Sequence, residues 1–380
     1  MQLRVGTSRK KRSNGAARAL GFAVVGCGRA GERHAAQIGK FGRLLAACDV
    51  VPAAAKSLSE AYNVDEFHCY EEMLRAVKGN VDVIAVCTPN GLHCQHSIKA
   101  FEAGFHVICE KPMAMTIHDC GDMIKAAERA NRRLFVVKQN RYNPPVAHLK
   151  KLIDTGVLGK IFTVHLNCYW NRNEEYYRQS WKGTRDMDGG TLYTQFSHFI
   201  DLLYWLVGDV KEVMAFTDNY CHKRSIEFED AGVAILRFHT GAIGSVNFTI
   251  NSYQKNMEGS LTLFCENGTI KIGGQYLNEI EYQHVKGIEQ TKLEMGRPAN
   301  QYGYYQGSMS NHEDVYKNVH EVLTADGAIV TIGYEGLKTV EIIDKIYAAA
   351  RLTRANESGR QPGLAANCYA STGRPQSLGR

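Results

Sequence analysis

Several things are missing from this 380-residue chain, and each absence removes a class of function. No apolar run is long enough to span a bilayer, which argues against a helical membrane protein. No CxxC pair and no spaced cysteine framework occurs. The 11 cysteines sit singly, in stretches such as "VDVIAVCTP" and "FHVICEKP", and read as small buried hydrophobes in a reducing, cytoplasmic setting. There is no internal repeat. A basic fold is missing too, although the net charge is +6. Residues 1–20 carry six Lys and Arg and no acid, and residues 351–380 carry five Arg and one Glu. Once those tails are set aside, residues 21–350 are mildly acidic. That balance speaks against a nucleic-acid partner, whose footprint is a basic surface on the fold itself. The tail "MQLRVGTSRKKRSNGAARAL" also lacks the apolar core of a secretory signal. It reads as a disordered arm, an expression scar, a misplaced start or a transit peptide.

What is present is ordinary globular composition, 44% apolar and 22% charged, at a length suited to two domains. From residue 21, short apolar runs alternate with amphipathic stretches: "GFAVVGCG", "AGERHAAQIGKF", "RLLAACDV", "AAAKSLSEAY" and onward to "RLFVVKQN". That alternation predicts βαβ units and a parallel sheet covered on both faces. After residue 150 the pattern becomes successive strands, "KIFTVHLNCYW", "DAGVAILRFHT", "GAIGSVNFTIN" and "GSLTLFCENG", with "HTGA" and "ENGT" as hairpin turns. We therefore expect an α/β doubly wound parallel sheet over 21–140. A C-terminal α+β domain with an open, mostly antiparallel sheet should cover 141–350, its last helices packing back on the first domain. Residues 1–20 and 351–380 are expected to be disordered tails.

Four motifs carry chemistry. Gly26-Cys27-Gly28-Arg29-Ala30-Gly31 is a GxGxxG that follows an apolar strand and opens a helix, the context in which it holds a pyrophosphate (the Rossmann arrangement). Asp49 ends the next strand, where a carboxylate takes a ribose diol. Val50 beside it offers no cation for a 2′-phosphate, so NAD is favoured over NADP. "CTPNGLH" places Thr88, Pro89 and Asn90 at a strand's carboxyl end, with His93, Cys94 and His96 at a helix start near the cofactor. A metal cluster there is disfavoured because no distant third ligand is evident, and no metal is expected. Glu110-Lys111-Pro112 ends another buried strand and would put a cation at the cleft. Finally, "GGTLYTQFSHFID" reads as one apolar helix opened by two glycines and bearing His198. A lone histidine among apolar residues is usually core; its company makes it a catalytic candidate.

In this order, GCGRAG, Asp49, "CTPNGLH", "EKP" and the GG-helix with His198, the chain resembles the glucose–fructose oxidoreductase/inositol dehydrogenase (Gfo/Idh/MocA) family over nearly all of residues 21–350. "KQNRYNPPV", "LNCYWNRNEEYY", "WKGT", "SMSNHEDVYKNV" and "EGLKTVEIIDKIY" are similar to the bacterial UDP-N-acetylglucosaminuronate 3-dehydrogenase branch. The resemblance implies NAD bound along Gly26–Gly31, Asp49, Thr88–Asn90, His93, Glu110, Lys111 and Gln139. It implies oxidation of a secondary hydroxyl, at C3, of a nucleotide-linked sugar acid in surface polysaccharide (lipopolysaccharide) biosynthesis. A dimer or tetramer formed through the C-terminal sheet goes with it.

Lys111 and His198 would flank the sugar. His198 is the expected base; Lys111 would stabilise negative charge on the oxygen, or take the proton itself if burial lowers its pKa. In the family an aspartate usually stands four residues before this histidine, on the same helical face. Here that residue is Thr194, which cannot act by charge. Substrate contacts are expected from Arg141, Tyr142, Tyr169, Trp181, Thr194, Asn311 and His312. Arg172, Tyr176 and Tyr177 belong to the same crowded loop, which could equally pack a subunit interface. Asn311 and His312 could meet phosphate or simply cap a helix. Asp201 reads as a helix-packing or interface residue. Two rival readings are a dehydrogenase or reductase of a free sugar or inositol, and an NAD-binding sensor without chemistry.

Overall fold

The first half is built from strands so apolar that they suit only a sheet covered on both sides. In a computed structural model describing residues 18–178, 181–289, 293, 296–301 and 306–357, these are β1 (Gly21–Val25), β2 (Arg43–Cys48), β3 (Asp65–Phe67), β4 (Val83–Val86), β5 (His106–Cys109) and β6 (Leu134–Val136). Every residue of β1 and β4 is buried. The six strands are parallel, in the order β3-β2-β1-β4-β5-β6. Between them run α1 (Arg29–Phe41), α2 (Pro52–Tyr62), α3 (Tyr70–Ala76), α4 (His93–Glu102) and α5 (Ile117–Arg129). The strand order reverses between β1 and β4, so their carboxyl ends open a crevice.

After α6 (Pro144–Asp154) the chain enters β7 (Ile161–Tyr169), α7 (Glu174–Tyr177), α8 (Thr191–Thr194) and α9 (Ser197–Val207). A second sheet is completed by β8 (Val210–Asp218), β9 (Ala231–Phe238), β10 (Ile243–Thr249), β11 (Glu258–Cys265), β12 (Gly268–Gly273) and β13 (Glu279–Val285), in the order β13-β12-β11-β7-β10-β9-β8. Only the β7–β10 pairing is parallel. Burial alternates along β9 and β10 as a one-sided sheet requires: Ala234, Leu236, Val246 and Phe248 face the helices, and the other side is open. A short pair, β14 (Ala299–Gln301) and β15 (Gln306–Met309), precedes α10 (His312–Thr324) and α11 (Gly333–Glu357).

The last two helices return to the first sheet. Tyr316 of α10 is fully buried with Phe22, Val24 and Ile38 of β1 and α1, and α11 lies along α5, α9 and β8. Both tail boundaries differ from expectation: at the amino end Arg18 donates to the Asn80 carbonyl and pairs with Asp82, tying residues 18–20 to the first domain. Helix α11 continues through Arg351 to Glu357, where Arg354 also reaches the Thr217 carbonyl of β8, so the helical pairing outlasts the predicted end. The rest of the expected tails, 1–17 and 358–380, lies outside the described residues. All ten cysteines among the described residues are free. Among the described residues, no helix is long and apolar enough to cross a membrane.

Candidate active site

The glycine loop has the shape that a dinucleotide needs. Gly26 sits at φ +90°, and a Cβ there would lie 2.6 Å from the Cys87 backbone, so only glycine makes this turn. A Cβ on Gly31 would lie 2.1 Å from the Gly26 carbonyl; its lack of side chain lets α1 press onto β1. Gly28 is the opposite case: a Cβ there meets nothing within 4 Å, leaving open space at the start of α1, where helix-end N–H groups are suited to an anion. Asp49 is fixed by the Cys27 and Val51 amides, both 2.8 Å away, and Val50 beside it is exposed. The residues present therefore fit NAD: a phosphate cradle and a fixed diol acceptor, with Val50 rather than a basic residue next to it in the chain.

The GG-helix is not one helix. α8 ends at Thr194, where Phe196 N–H reaches back five residues to the Thr191 carbonyl, and the ladder restarts from the Phe196 carbonyl to Phe199 and Ile200. The cause lies in the side chains at the break. Gln195 accepts from Arg172 Nε at 2.7 Å and donates to the Tyr176 hydroxyl at 2.8 Å, while Phe196 is fully buried against Trp170. Thr194 and His198 thus do not share the face of a continuous helix, as the i, i+4 spacing predicted. The break has a chemical consequence. In an unbroken helix the Thr194 carbonyl would accept from His198 N–H; here it accepts from Lys111 Nζ at 2.6 Å. Lys111 is thereby aimed from the end of β5 at the start of α9.

A carboxylate does stand here, supplied by a residue that sequence reasoning missed. Asp188, directly before the glycine pair and 1% exposed, accepts from the Thr194 hydroxyl through one oxygen and from Gly183 N–H at 2.8 Å through the other. Asn90 Nδ2 bridges to the Asp188 carbonyl at 2.8 Å and the Thr194 hydroxyl at 2.7 Å. Gly189 and Gly190, at φ +89° and +144°, turn the chain sharply enough to bring Asp188 back onto Thr194.

His198 is buried, its Nε2 2.9 Å from Gln139 Nε2, so the imidazole nitrogen is the acceptor in this amide orientation. Among the described residues, several buried polar atoms have no partner: His198 Nδ1 and Gln139 Oε1, on the two side chains in contact here, and elsewhere Ser197 Oγ, both amide atoms of Asn140 and His312 Nδ1. Natural proteins rarely leave such groups unbonded, and the pair on His198 and Gln139 marks where a ligand or water makes the missing bonds. Nearby, Glu110 accepts from His34 and His312 Nε2 at 3.1 and 3.2 Å, and its second oxygen takes Lys111 N–H. These three side chains lie within metal-ligand reach of one another; the hydrogen bonds, with Tyr316 on the far side of His34, account for the cluster as it stands.

Burial dominates the electrostatics. It pulls Lys111 down to about 8, with Arg172 and Arg33 pushing the same way and Glu110 and Asp188 opposing. Burial, aided by the Lys111 charge, holds His198 well below its ordinary value. The same effect lifts Asp188 to about 6 against its hydrogen bonds from Thr194 and Gly183. Burial would raise Glu110 too, but the histidine hydrogen bonds outweigh it and hold the carboxyl well below its usual range. Lysine, not imidazole, is therefore the group poised to exchange a proton near neutrality.

Other predicted contacts are placed elsewhere. Both nitrogens of His93 lie close to carbonyl oxygens, Pro112 at 2.7 Å and Thr88 at 2.8 Å, so the ring is enclosed between the two strand-end turns and braces the one that carries Lys111. Thr88 meets His96. Arg141 is buried on Asp201 in a bidentate pair at 2.7 and 2.8 Å and also meets Glu335; Lys138 joins Asp201 at 3.1 Å. That makes Arg141 a scaffold cation rather than a substrate ligand, and Asp201 its buried partner. Tyr169 donates to Asn167 on the open side of the second sheet, away from α9. Tyr142 is half-buried against the α1–α10 cluster. Asn311 stands at the N-cap position of α10, but its side chain donates to Gln139 O and Asn143 rather than capping the helix. Arg172, Tyr176 and Tyr177 are buried within the chain around Gln195 and His222, not spread on an interface. Trp181 is half-buried, and Lys182 beside it, unnoticed in the sequence, lies over the Tyr176 ring at 4.0 Å.

Residues 20–138 match a family model described as an oxidoreductase family with an NAD-binding Rossmann fold, and residues 146–271 match the GFO/IDH/MocA C-terminal domain. The chain is similar to the WlbA dehydrogenase from Bordetella pertussis, solved in complex with NADH and UDP-GlcNAcA, at 38% identity and a TM-score of 0.78, covering 88% of this chain and 97% of that one. It is similar as well to the WlbA dehydrogenase from Chromobacterium violaceum, solved with the same two ligands, at 35% identity and a TM-score of 0.79, covering 91% and 96%. Among curated proteins it is 30% identical over 208 residues to a 1-carboxy-3-chloro-3,4-dihydroxycyclohexa-1,5-diene dehydrogenase of Comamonas testosteroni, covering 54% of this chain and 51% of that one. The match spans between half and two thirds of the length of the first such relatives.

Proposed function

The chain belongs to the GFO/IDH/MocA oxidoreductase family, and we propose that it is an NAD-dependent dehydrogenase oxidising a secondary hydroxyl, at C3, of a nucleotide-linked sugar acid such as UDP-GlcNAcA. The observation that carries this reading is Lys111 Nζ, held on the Thr194 carbonyl and tuned to about 8, beside a buried neutral His198. Bound NAD supplies the hydride acceptor. Lys111 in its free-amine form takes the hydroxyl proton as the carbonyl develops. His198 holds the same oxygen by a hydrogen bond and fixes its direction. Gln139, in contact with His198 and with its Oε1 unpartnered among the described residues, offers a further polar contact there.

Similarity to two dehydrogenases solved with UDP-GlcNAcA, over almost the whole length of each, supports the substrate class. Surface polysaccharide assembly is the process that consumes such sugars in this reading, and the free cysteines suit the cytoplasm. A homo-oligomer is supported by the open face of the second sheet. Met214 pairs across from Ile235, and Phe216 from Val233, all four exposed.

The test is NADH formation with UDP-GlcNAcA against a panel of free sugars and inositol. Turnover of the nucleotide-sugar acid, abolished by Lys111→Ala, supports the proposal; turnover of free sugars alone replaces the substrate class. NAD binding with no turnover of any sugar favours the sensor.

A further inference from the structure

Threonine at 194 leaves the site without its expected acid, and Asp188 occupies the adjoining position. Its hydrogen bonds lock the Thr194 hydroxyl in one sense: the hydroxyl donates to Asp188 and accepts from Asn90. The hydroxyl is therefore committed to this link, and the Thr194 carbonyl, released by the helix break, faces Lys111. We infer that Asp188 is a positioning residue, acting through Thr194 to hold Lys111 in place and through its own charge to set when that lysine gives up its proton. This inference rests on the dehydrogenase reading above.

The charge argument needs every neighbour. Lys111 faces two anions, Glu110 and Asp188, against the cations Arg33 and Arg172, with His93 and His198 neutral beside it. Glu110 is committed to two histidines and stays ionised throughout the working range. Asp188 is the anion whose charge changes near neutrality, with Lys182 as its other cationic neighbour. Ionised above about 6, Asp188 favours the ammonium form of Lys111. Removing that charge makes the amine free at lower pH.

Asp188→Asn tests the charge with little change of shape. The asparagine oxygen can still accept from Gly183, and the Thr194 hydroxyl can turn to the Asp188 carbonyl 3.1 Å away. Thr194→Val removes the link and keeps the charge, and Thr194→Ser should restore it. Two readouts separate this inference from the functional reading. One is the pH profile of kcat/KM. The other, independent of activity, is the rate at which Lys111 is acylated by a small anhydride across pH, followed by peptide mass spectrometry.

In Asp188→Asn we expect both profiles to move down by about half a pH unit or more. In Thr194→Val, kcat should fall about tenfold or more with KM and the profile's position little changed, and Thr194→Ser should recover. An acylation shift without turnover in any variant, wild type included, upholds the coupling and sinks the dehydrogenase reading. An active wild type whose acylation profile is unmoved by Asp188→Asn, with Thr194→Val as fast as wild type, overturns the inference. Should Asp188→Asn fail to fold, the Thr194 pair decides the positioning role alone.

Discussion

Raising the pH should accelerate oxidation along the titration of a lysine. Burial sets Lys111 at about 8, so the free amine is about a tenth of the population at pH 7 and about nine tenths at pH 9. The sign follows from the role: a base must be unprotonated, so kcat/KM for oxidation should climb about tenfold over that interval and then level off. His198, held well below its ordinary value, is neutral throughout and contributes no limb of its own. The assay is NADH absorbance at fixed ionic strength from about pH 6 to pH 10, under saturating NAD. Lys111→Ala should lose about 10²–10⁴-fold and flatten the profile. Lys111→Ala retaining a limb at or below the ordinary imidazole value would refute the assignment and return the base role to His198.

Three further outcomes follow from particular contacts. Gly28→Ala should leave the cofactor-free melting temperature within a degree or two and weaken NAD binding at least tenfold by calorimetry, because its Cβ enters only the open cradle; Gly31→Ala, whose Cβ lands on the Gly26 carbonyl, should instead destabilise the fold. Asp201→Asn removes the anion paired with buried Lys138 and leaves Arg141 with Glu335 alone, and should cost about 3–5 kcal/mol by denaturant melts. The folded Asp201 carboxyl lies below its unfolded value, so its contribution is full above about pH 4 and is lost as pH falls through the folded value; the gap between variant and wild type should narrow on acidification. If the proposed homo-oligomer forms through the open sheet face, lysines at Met214 and Ile235 should dissociate it in light scattering while leaving far-UV dichroism unchanged.

Local signals carried the cofactor end of the molecule. The local geometry of the three glycines of GCGRAG was legible because each acts within its own turn, one by φ, one by openness, one by helix packing. Strand–helix alternation made the first sheet legible and successive strands the second, since burial on one face or two writes itself into the sequence period. The substrate end was harder because its residues act through distant partners. Arg141 follows a strand end and looks like a ligand, but Asp201 and Glu335 claim its guanidinium from far along the chain. The apolar run around His198 hides a helix break, since Phe196 suits a core in either geometry; the cause, Arg172 and Tyr176 gripping Gln195, is tertiary. Asp188 carried one available signal: an acid directly before two glycines, which fold it back onto the position where an acid was missing.

The central claim is hydride removal from C3 of a nucleotide-linked sugar acid at the Lys111–His198 site, and an isotope reports it directly. Wild type would be mixed with NAD and UDP-GlcNAcA deuterated at C3, quenched after a single turnover, and the nicotinamide examined by mass spectrometry. The account predicts deuterium on the reduced cofactor with wild type and none with Lys111→Ala. Reduced cofactor without deuterium would move the chemistry to another carbon. A wild type that reduces no NAD with this substrate, yet does so with inositol or a free sugar, would contradict the account.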